Sequence, residues 1–170
     1  MNSDEATLAV IDLLEARQVP YMVVGSFSSN YYGVPRSTKD ADIVIELKVS
    51  AVRSLAEELG DQFRLDPQPT FETVIEFFHL SEDTHDQERF RRRRRVSLGA
   101  RHVCLPTAED VIITKLRWIQ SSARSKDWDD VRNIVAVRGD KVDWEYVYSW
   151  CDRHGTRATL DEIRQSIPPI

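Results

Sequence analysis

The stretch from Tyr21 to Glu46, YMVVGSFSSNYYGVPRSTKDADIVIE, decides how the rest of the chain is read. It opens on an apolar run, Tyr21 to Val24, that stops at Gly25-Ser26, and it closes on Asp40-Ala41-Asp42-Ile43-Val44-Ile45, where polar and apolar residues alternate. That order reads as strand, turn into a short helix, loop, strand. Successive side chains on a strand point to opposite faces, so Asp40, Asp42 and Val44 share one face and Ala41, Ile43 and Ile45 the other. Two carboxylates side by side on a rigid edge repel each other unless something positive lies between them. A divalent cation is the natural candidate.

Working outward, Ser3 is placed to cap a first helix with Asp4 and Glu5 in its opening turn, an apolar face of Ala6, Val10, Leu13 and Leu14, and Pro20 beyond its end. Ser26 to about Tyr31 is expected to form the short helix, which ends at Gly33, with Pro35 in the loop that follows. By itself Gly25-Ser26 is a plain strand-to-helix turn. Ahead of a spaced Asp-x-Asp it reads instead as a close-approach site, where backbone amides at a helix start meet a phosphate. Further on, Ser50 is placed to cap a helix carrying Val52, Leu55, Ala56 and Leu59 on one face, with Gly60 ending it.

From Phe63 to Leu80 two strands are expected around a turn at Asp66-Pro67-Gln68-Pro69, and the second, Thr73 to Phe78, is almost wholly apolar, with one acid, Glu76, standing out. A lone carboxylate in a buried strand is costly unless paired or metal-bound. On an exposed edge, or beside an arginine, it needs no such account.

Composition sets outer bounds. With 170 residues, 41% apolar and 30% charged, the chain is long enough for one domain with a real core and is too apolar for a disordered one. A net charge of −5 draws it to no polyanion, so any such attraction must be local. Cys104 and Cys151 have neither metal-ligand spacing nor a disulfide framework, and the opening residues lack a basic region followed by an apolar core; a cytoplasmic protein is expected. No apolar run approaches the roughly 18 residues of a membrane helix.

Gly25-Ser26, thirteen residues, then Asp40-Ala41-Asp42-Ile43 resembles the signature of the DNA polymerase β-type nucleotidyltransferase superfamily. The longer form, VVGSFSSNYYGVPRSTKDADIVI, is similar to small stand-alone bacterial members, including toxin or antitoxin halves. The likeness runs through Trp118 and more loosely to about Leu160. It implies an α/β (α+β) fold, a palm-like mixed sheet of four or five strands with helices, followed by a C-terminal helical part: a catalytic core over residues 1–106 and a helical region over 107–170. It also implies transfer of a nucleotidyl group from an NTP to an acceptor hydroxyl with loss of pyrophosphate.

Such enzymes place a third acid on a strand beside the Asp-x-Asp strand, and Glu76 fits that place, with Asp66 and Glu72 as substitutes. The family more often has Asp there; Glu reaches one methylene further. Asp40, Asp42 and Glu76 are then expected to hold two Mg²⁺ ions (Mn²⁺ being the alternative) about 4 Å apart. Gly25 and Ser26 would hold phosphates, and Arg36 would neutralise charge on the transferring group or else pair with Asp40.

Arg89 and Arg91 to Arg95 put six arginines in seven positions. Charge runs are usually solvated faces. On a helix, however, 89, 92 and 93 would lie together, and Arg92 and Arg93 are read as a triphosphate or RNA-backbone contact.

Thr107 with Asp110 is expected to start a helix through about Gln120, and Lys115 on it is either a surface lysine or a phosphate contact. A helix from Lys126 to Val137 carries Trp128, Val131 and Val135 inward, with Lys126 and Asp130 as a surface ion pair; Asp143 caps the next helix. The acceptor is left open among protein, tRNA and small molecule, as is a partner protein encoded nearby. The rival reading is a catalytically silent nucleotide- or RNA-binding member of the same fold, such as an antitoxin.

Overall fold

The computed structural model describes residues 3–38, 40–60, 63, 74–122 and 124–168. The chain forms two compact units, Met1–Val24 with Thr38–Leu105, and Gly25–Ser37 with Pro106–Ile170. The second unit takes in the segment that follows the first strand.

In the first unit, α1 (Ser3–Ala16) has Asp4 and Glu5 in its first turn and buries Ala6, Val10, Ile11 and Leu14, so Ile11 takes the inward place expected of Leu13. The cap assigned to Ser3 lies outside the described side chains. The chain then reverses through Gln18 (φ 54°) and Pro20 into β1 (Tyr21–Val24), all four residues of which are buried.

The middle strand β2 (Ala41–Ile45) is paired on both sides. It runs antiparallel to β1, with Met22 opposite Val44 and Val24 opposite Asp42, and parallel to β3 (Ile75–His79), with Asp42 opposite Glu76 and Val44 opposite Phe78. A parallel neighbour requires a crossover, and α3 (Val49–Leu59) lies within it. The cap on α3 differs from expectation: Lys48 occupies the position, without a side-chain hydrogen bond, and Ser50 falls inside the helix. The other strand expected between Phe63 and Leu80, the turn at Asp66 to Pro69, and the substitute acids Asp66 and Glu72 lie outside the described residues.

The largest departure is at the arginine run. Helix α4 (Thr84–Arg92) ends inside it, Arg93 is extended (φ −51°, ψ 147°), and a strand, β4 (Arg94–Leu98), begins at Arg94. Like charges at helical i,i+3 and i,i+4 spacing repel, whereas on a strand neighbouring guanidinium groups turn to opposite sides. The expected grouping of Arg89, Arg92 and Arg93 on one helix face therefore does not form.

β4 pairs antiparallel with β5 (Arg101–Leu105), Leu98 opposite Arg101, and Gly99 supplies the left-handed residue (φ 59°) of the two-residue turn. Among the described residues the strands thus form a three-stranded mixed sheet and a separate two-stranded hairpin, where one sheet of four or five was expected.

The second unit joins α2 (Gly25–Tyr32) to α5 (Ala108–Ser122), α6 (Ser125–Arg138), α7 (Trp144–His154) and α8 (Arg157–Gln165) around a core of Tyr32, Ile112, Ile113, Leu116, Val131, Ile134, Val147, Leu160 and Ile163. Two expected caps form: Thr107 Oγ1 accepts from the Asp110 amide at 3.3 Å and Asp143 Oδ1 from the Tyr146 amide at 3.0 Å. Tyr32 Oη donates to the Pro106 carbonyl at 2.8 Å, and Tyr146 Oη donates to buried Asp110 at 2.7 Å.

Gly33, just past α2, lets that helix approach α6 closely. A methyl group there would stand 3.2 Å from the Ile134 nitrogen and the Ser29 carbonyl oxygen, and 3.3 Å from the Asn133 carbonyl carbon, all of them backbone.

Candidate active site

The first unit supplies the acids. Paired residues on neighbouring strands point to the same side of a sheet, so Asp42 and Glu76 stand side by side on one face, one pleat along from Val44 and Phe78. Asp40, just ahead of β2, is exposed, and its carbonyl accepts from Thr38 Oγ1 at 3.2 Å. Glu76 is exposed as well, and so is Phe78 on the same face (46%), which corrects the buried-strand setting expected for this acid. Its neighbour in the register, not its burial, marks it out.

Helix α4 covers this face through Phe90, which packs with Met22, Val24 and Val44. That packing brings the end of the arginine run to the acid-bearing side of the sheet. Arg93 lays its guanidinium over the Phe90 ring, 4.0 Å from the centroid. Three of the other arginines are paired: Arg89 with Asp86 at 2.9 Å, Arg91 with Glu88 at 2.7 Å and Arg95 with Glu15 at 3.1 Å. Arg92 is half-buried and also has interactions.

The second unit carries a polar network that runs from buried to exposed. Gly25, in the left-handed region at φ 62°, starts α2, and the Ser28 and Ser29 hydroxyls turn back to donate to its carbonyl at 2.9 and 3.2 Å. Arg36 donates through Nε and Nη2 to the two oxygens of Asp130 at 3.1 and 3.3 Å, and through Nη2 to Ser26 Oγ at 2.8 Å. Asn30 clamps the Arg36 backbone, donating to its carbonyl at 2.7 Å and accepting from its amide at 3.1 Å. Arg36 therefore pairs with Asp130, correcting the expected alternative of Asp40.

Lys115 is buried, not a surface lysine. Its Nζ reaches Asp127 at 2.7 Å and Asp130 at 2.9 Å, and Arg124 stands 2.9 Å from the other oxygen of Asp127. Asp130 accordingly serves Arg36 and Lys115 in place of the surface pair expected with Lys126. Burial alone would push the Asp130 carboxyl upward, but hydrogen bonds from Arg36 and then Lys115, with their charges, hold it below the usual carboxylate range. The same pairing raises the Arg36 guanidinium.

Asp127 is the residue that sequence reading missed, and Asp130 is one it read only as a surface partner of Lys126. The signal was present: with Val131, Ile134 and Val135 they fall on a single stripe of α6, so two acids sit in register with buried apolar positions.

An oxygen-only donor set suits a hard divalent cation, and the partly exposed Asp42 and exposed Glu76, adjacent in the register, fit one. Among the described residues, no group of three His, Cys, Asp or Glu side chains is gathered closely enough to hold an ion. The fit thus rests on the Asp42–Glu76 pair.

No family model and no curated protein matches the sequence. Solved structures do resemble this one over nearly its whole length. The solution structure of the antibiotic-resistance factor ANT(2'')-Ia gives a TM-score of 0.59 at 14% identity, covering 97% of this chain and 98% of that one. ANT(2'')-Ia in complex with adenylyl-2''-tobramycin gives 0.60 at 13%, covering 91% and 97%. An antigenic nucleotidyltransferase-like protein from Paracoccidioides brasiliensis gives 0.56 at 17%, covering 100% and 96%. At these identities the likeness is one of fold.

Proposed function

From the premise that this chain has the fold of the nucleotidyltransferases, we propose that it transfers a nucleoside monophosphate from an NTP to an acceptor hydroxyl, releasing pyrophosphate. The observation that carries the reading is the register pairing of Asp42 with Glu76, which sets two carboxylates side by side on one sheet face, the first of them at the signature spacing from Gly25-Ser26 in the sequence.

In this reading Asp42 and Glu76 would hold Mg²⁺, or Mn²⁺ in its place, with Asp40 as the further donor. Such an ion would supply a lowered barrier to ionising the acceptor hydroxyl and would neutralise charge on the leaving phosphates. The chain's own residues do the rest. Backbone amides at the start of α2, opened by Gly25, donate to phosphate oxygens. Ser26 Oγ accepts from Arg36, so its own proton is left to donate to phosphate. The Arg36 guanidinium offsets charge on the transferring group. Arg92 and Arg93 are kept as weaker phosphate contacts, because Arg93 already lies on Phe90. Lys115 leaves the list of direct contacts, since both of its carboxylate partners are buried with it.

Among the acceptors, a small-molecule hydroxyl is favoured over protein or tRNA, because one fold neighbour, ANT(2'')-Ia, is seen in complex with adenylyl-2''-tobramycin. The test is incubation with each α-labelled NTP, Mg²⁺ and either a total cell extract or a panel of hydroxylated small molecules. Label is expected on a small compound, from one NTP in preference to the others. NTP binding without label on any acceptor would favour the silent member of the fold.

A further inference from the structure

The network behind Arg36 has an order that a phosphate contact alone does not explain. Its buried end is Asp127 (0% exposed), Lys115 (4%) and Asp130 (5%), and its outer end is the Arg36 side chain at 37%. Asp130 takes Arg36 with both carboxylate oxygens and receives Lys115 on one of them. That is the fork geometry which fixes the plane of a guanidinium. Of the five N–H donors of Arg36, three are engaged, two by Asp130 and one by Ser26. Among the described residues the Nη1 pair has no hydrogen-bond partner. An arginine free to swing would meet a phosphate only after losing its rotamer entropy, whereas one bolted at its root has lost it on folding.

We infer that Asp130, braced by Lys115, is a positioning residue: it holds the Arg36 guanidinium flat against Ser26, so that Ser26 Oγ and Arg36 Nη1 present a preformed pair of donors to the triphosphate. The inference rests on the proposed nucleotidyl transfer and assigns its triphosphate contact to a root in α5 and α6. Lys115 acts through Asp130 and touches no substrate. Its positive charge helps to keep Asp130 ionised and so an acceptor only, able to bind Arg36 with both oxygens.

The test is titration calorimetry of the full chain with each Mg²⁺-NTP and with the nucleoside of whichever binds most tightly. Asp130→Asn, which keeps size and loses charge, is expected to weaken NTP binding about tenfold while leaving the nucleoside unchanged. Arg36→Gln should do the same, and the double variant should be no weaker than Arg36→Gln alone, because Asp130 acts only through Arg36. Should Asp130→Asn fail to fold, Arg36→Lys decides the matter. It keeps the charge but not the fork, and is expected to lose nearly as much as Arg36→Gln.

Additive losses in the double variant, equal losses for nucleoside and NTP, or a lysine variant that binds like wild type would each overturn the inference and leave the proposed function standing. If the wild-type chain binds none of the four NTPs, both fall.

Discussion

Replacing Asp42 by Asn is expected to cut nucleotidyl transfer by about a thousandfold or more while leaving thermal stability unchanged or slightly raised. The two halves of that expectation come from one feature. Asp42 and Glu76 are partners in a parallel register, and like charges directly opposite on a sheet oppose folding by a few tenths of a kcal/mol to about 1. Asparagine keeps the size of the side chain and relieves that repulsion, but it offers one neutral carbonyl in place of a carboxylate. An activity loss accompanied by a fall in melting temperature of many degrees would point instead to a structural role for Asp42. Label transfer from the α-labelled NTP and a thermal melt on the same preparation separate the two.

Lys115→Met is expected to have the largest effect on stability, a loss of about 3–5 kcal/mol, because it leaves Asp127 and Asp130 buried with one fewer cation. Its pH dependence follows from the sign of the Asp130 shift. The folded-state value lies below the unfolded one, so the pairing stabilises fully above the unfolded value of 3.8 and is lost as the pH falls through the folded value. Removing Lys115 takes away one of the causes that hold Asp130 down, so protonation relieves the variant sooner than the wild type. The stability gap in urea titrations should therefore be full from neutral pH down to the unfolded value of 3.8 and narrow as the pH falls below it. A gap that stays constant below that value would mean that the loss comes from packing and not from charge.

The sequence was most readable where local chemistry and fold agree. The apolar run ending at Gly25 and the alternation from Asp40 to Ile45 became β1, α2 and β2, because a Gly with positive φ and a period-two pattern each admit few alternatives. Glu76 was singled out from its sequence neighbours and from the resemblance, and the burial expected of it does not hold. What places it beside Asp42 is a parallel register, and register across a crossover leaves no mark in local sequence.

The arginine run misled for a related reason. Helix periodicity grouped the side chains correctly in principle, but the helix stops at Arg92, and the strand continuing from Arg94 is set by pairing with β5. The network around Lys115 was invisible to any reading that treats a lysine or an aspartate as a surface residue by default. It needs Arg36 and Asp130 to meet across 94 positions, a contact set only by the packed helices of the second unit.

The central claim is that Asp42 and Glu76 together form a divalent-cation site, and the direct measurement is Mn²⁺ titration followed by electron paramagnetic resonance, on wild type and on Glu76→Gln, with NTP present. Because Glu76 is exposed, the variant is expected to fold as the wild type does, and to bind Mn²⁺ at least about tenfold more weakly. Undiminished Mn²⁺ binding by Glu76→Gln, in a preparation that still binds the NTP, would contradict the account.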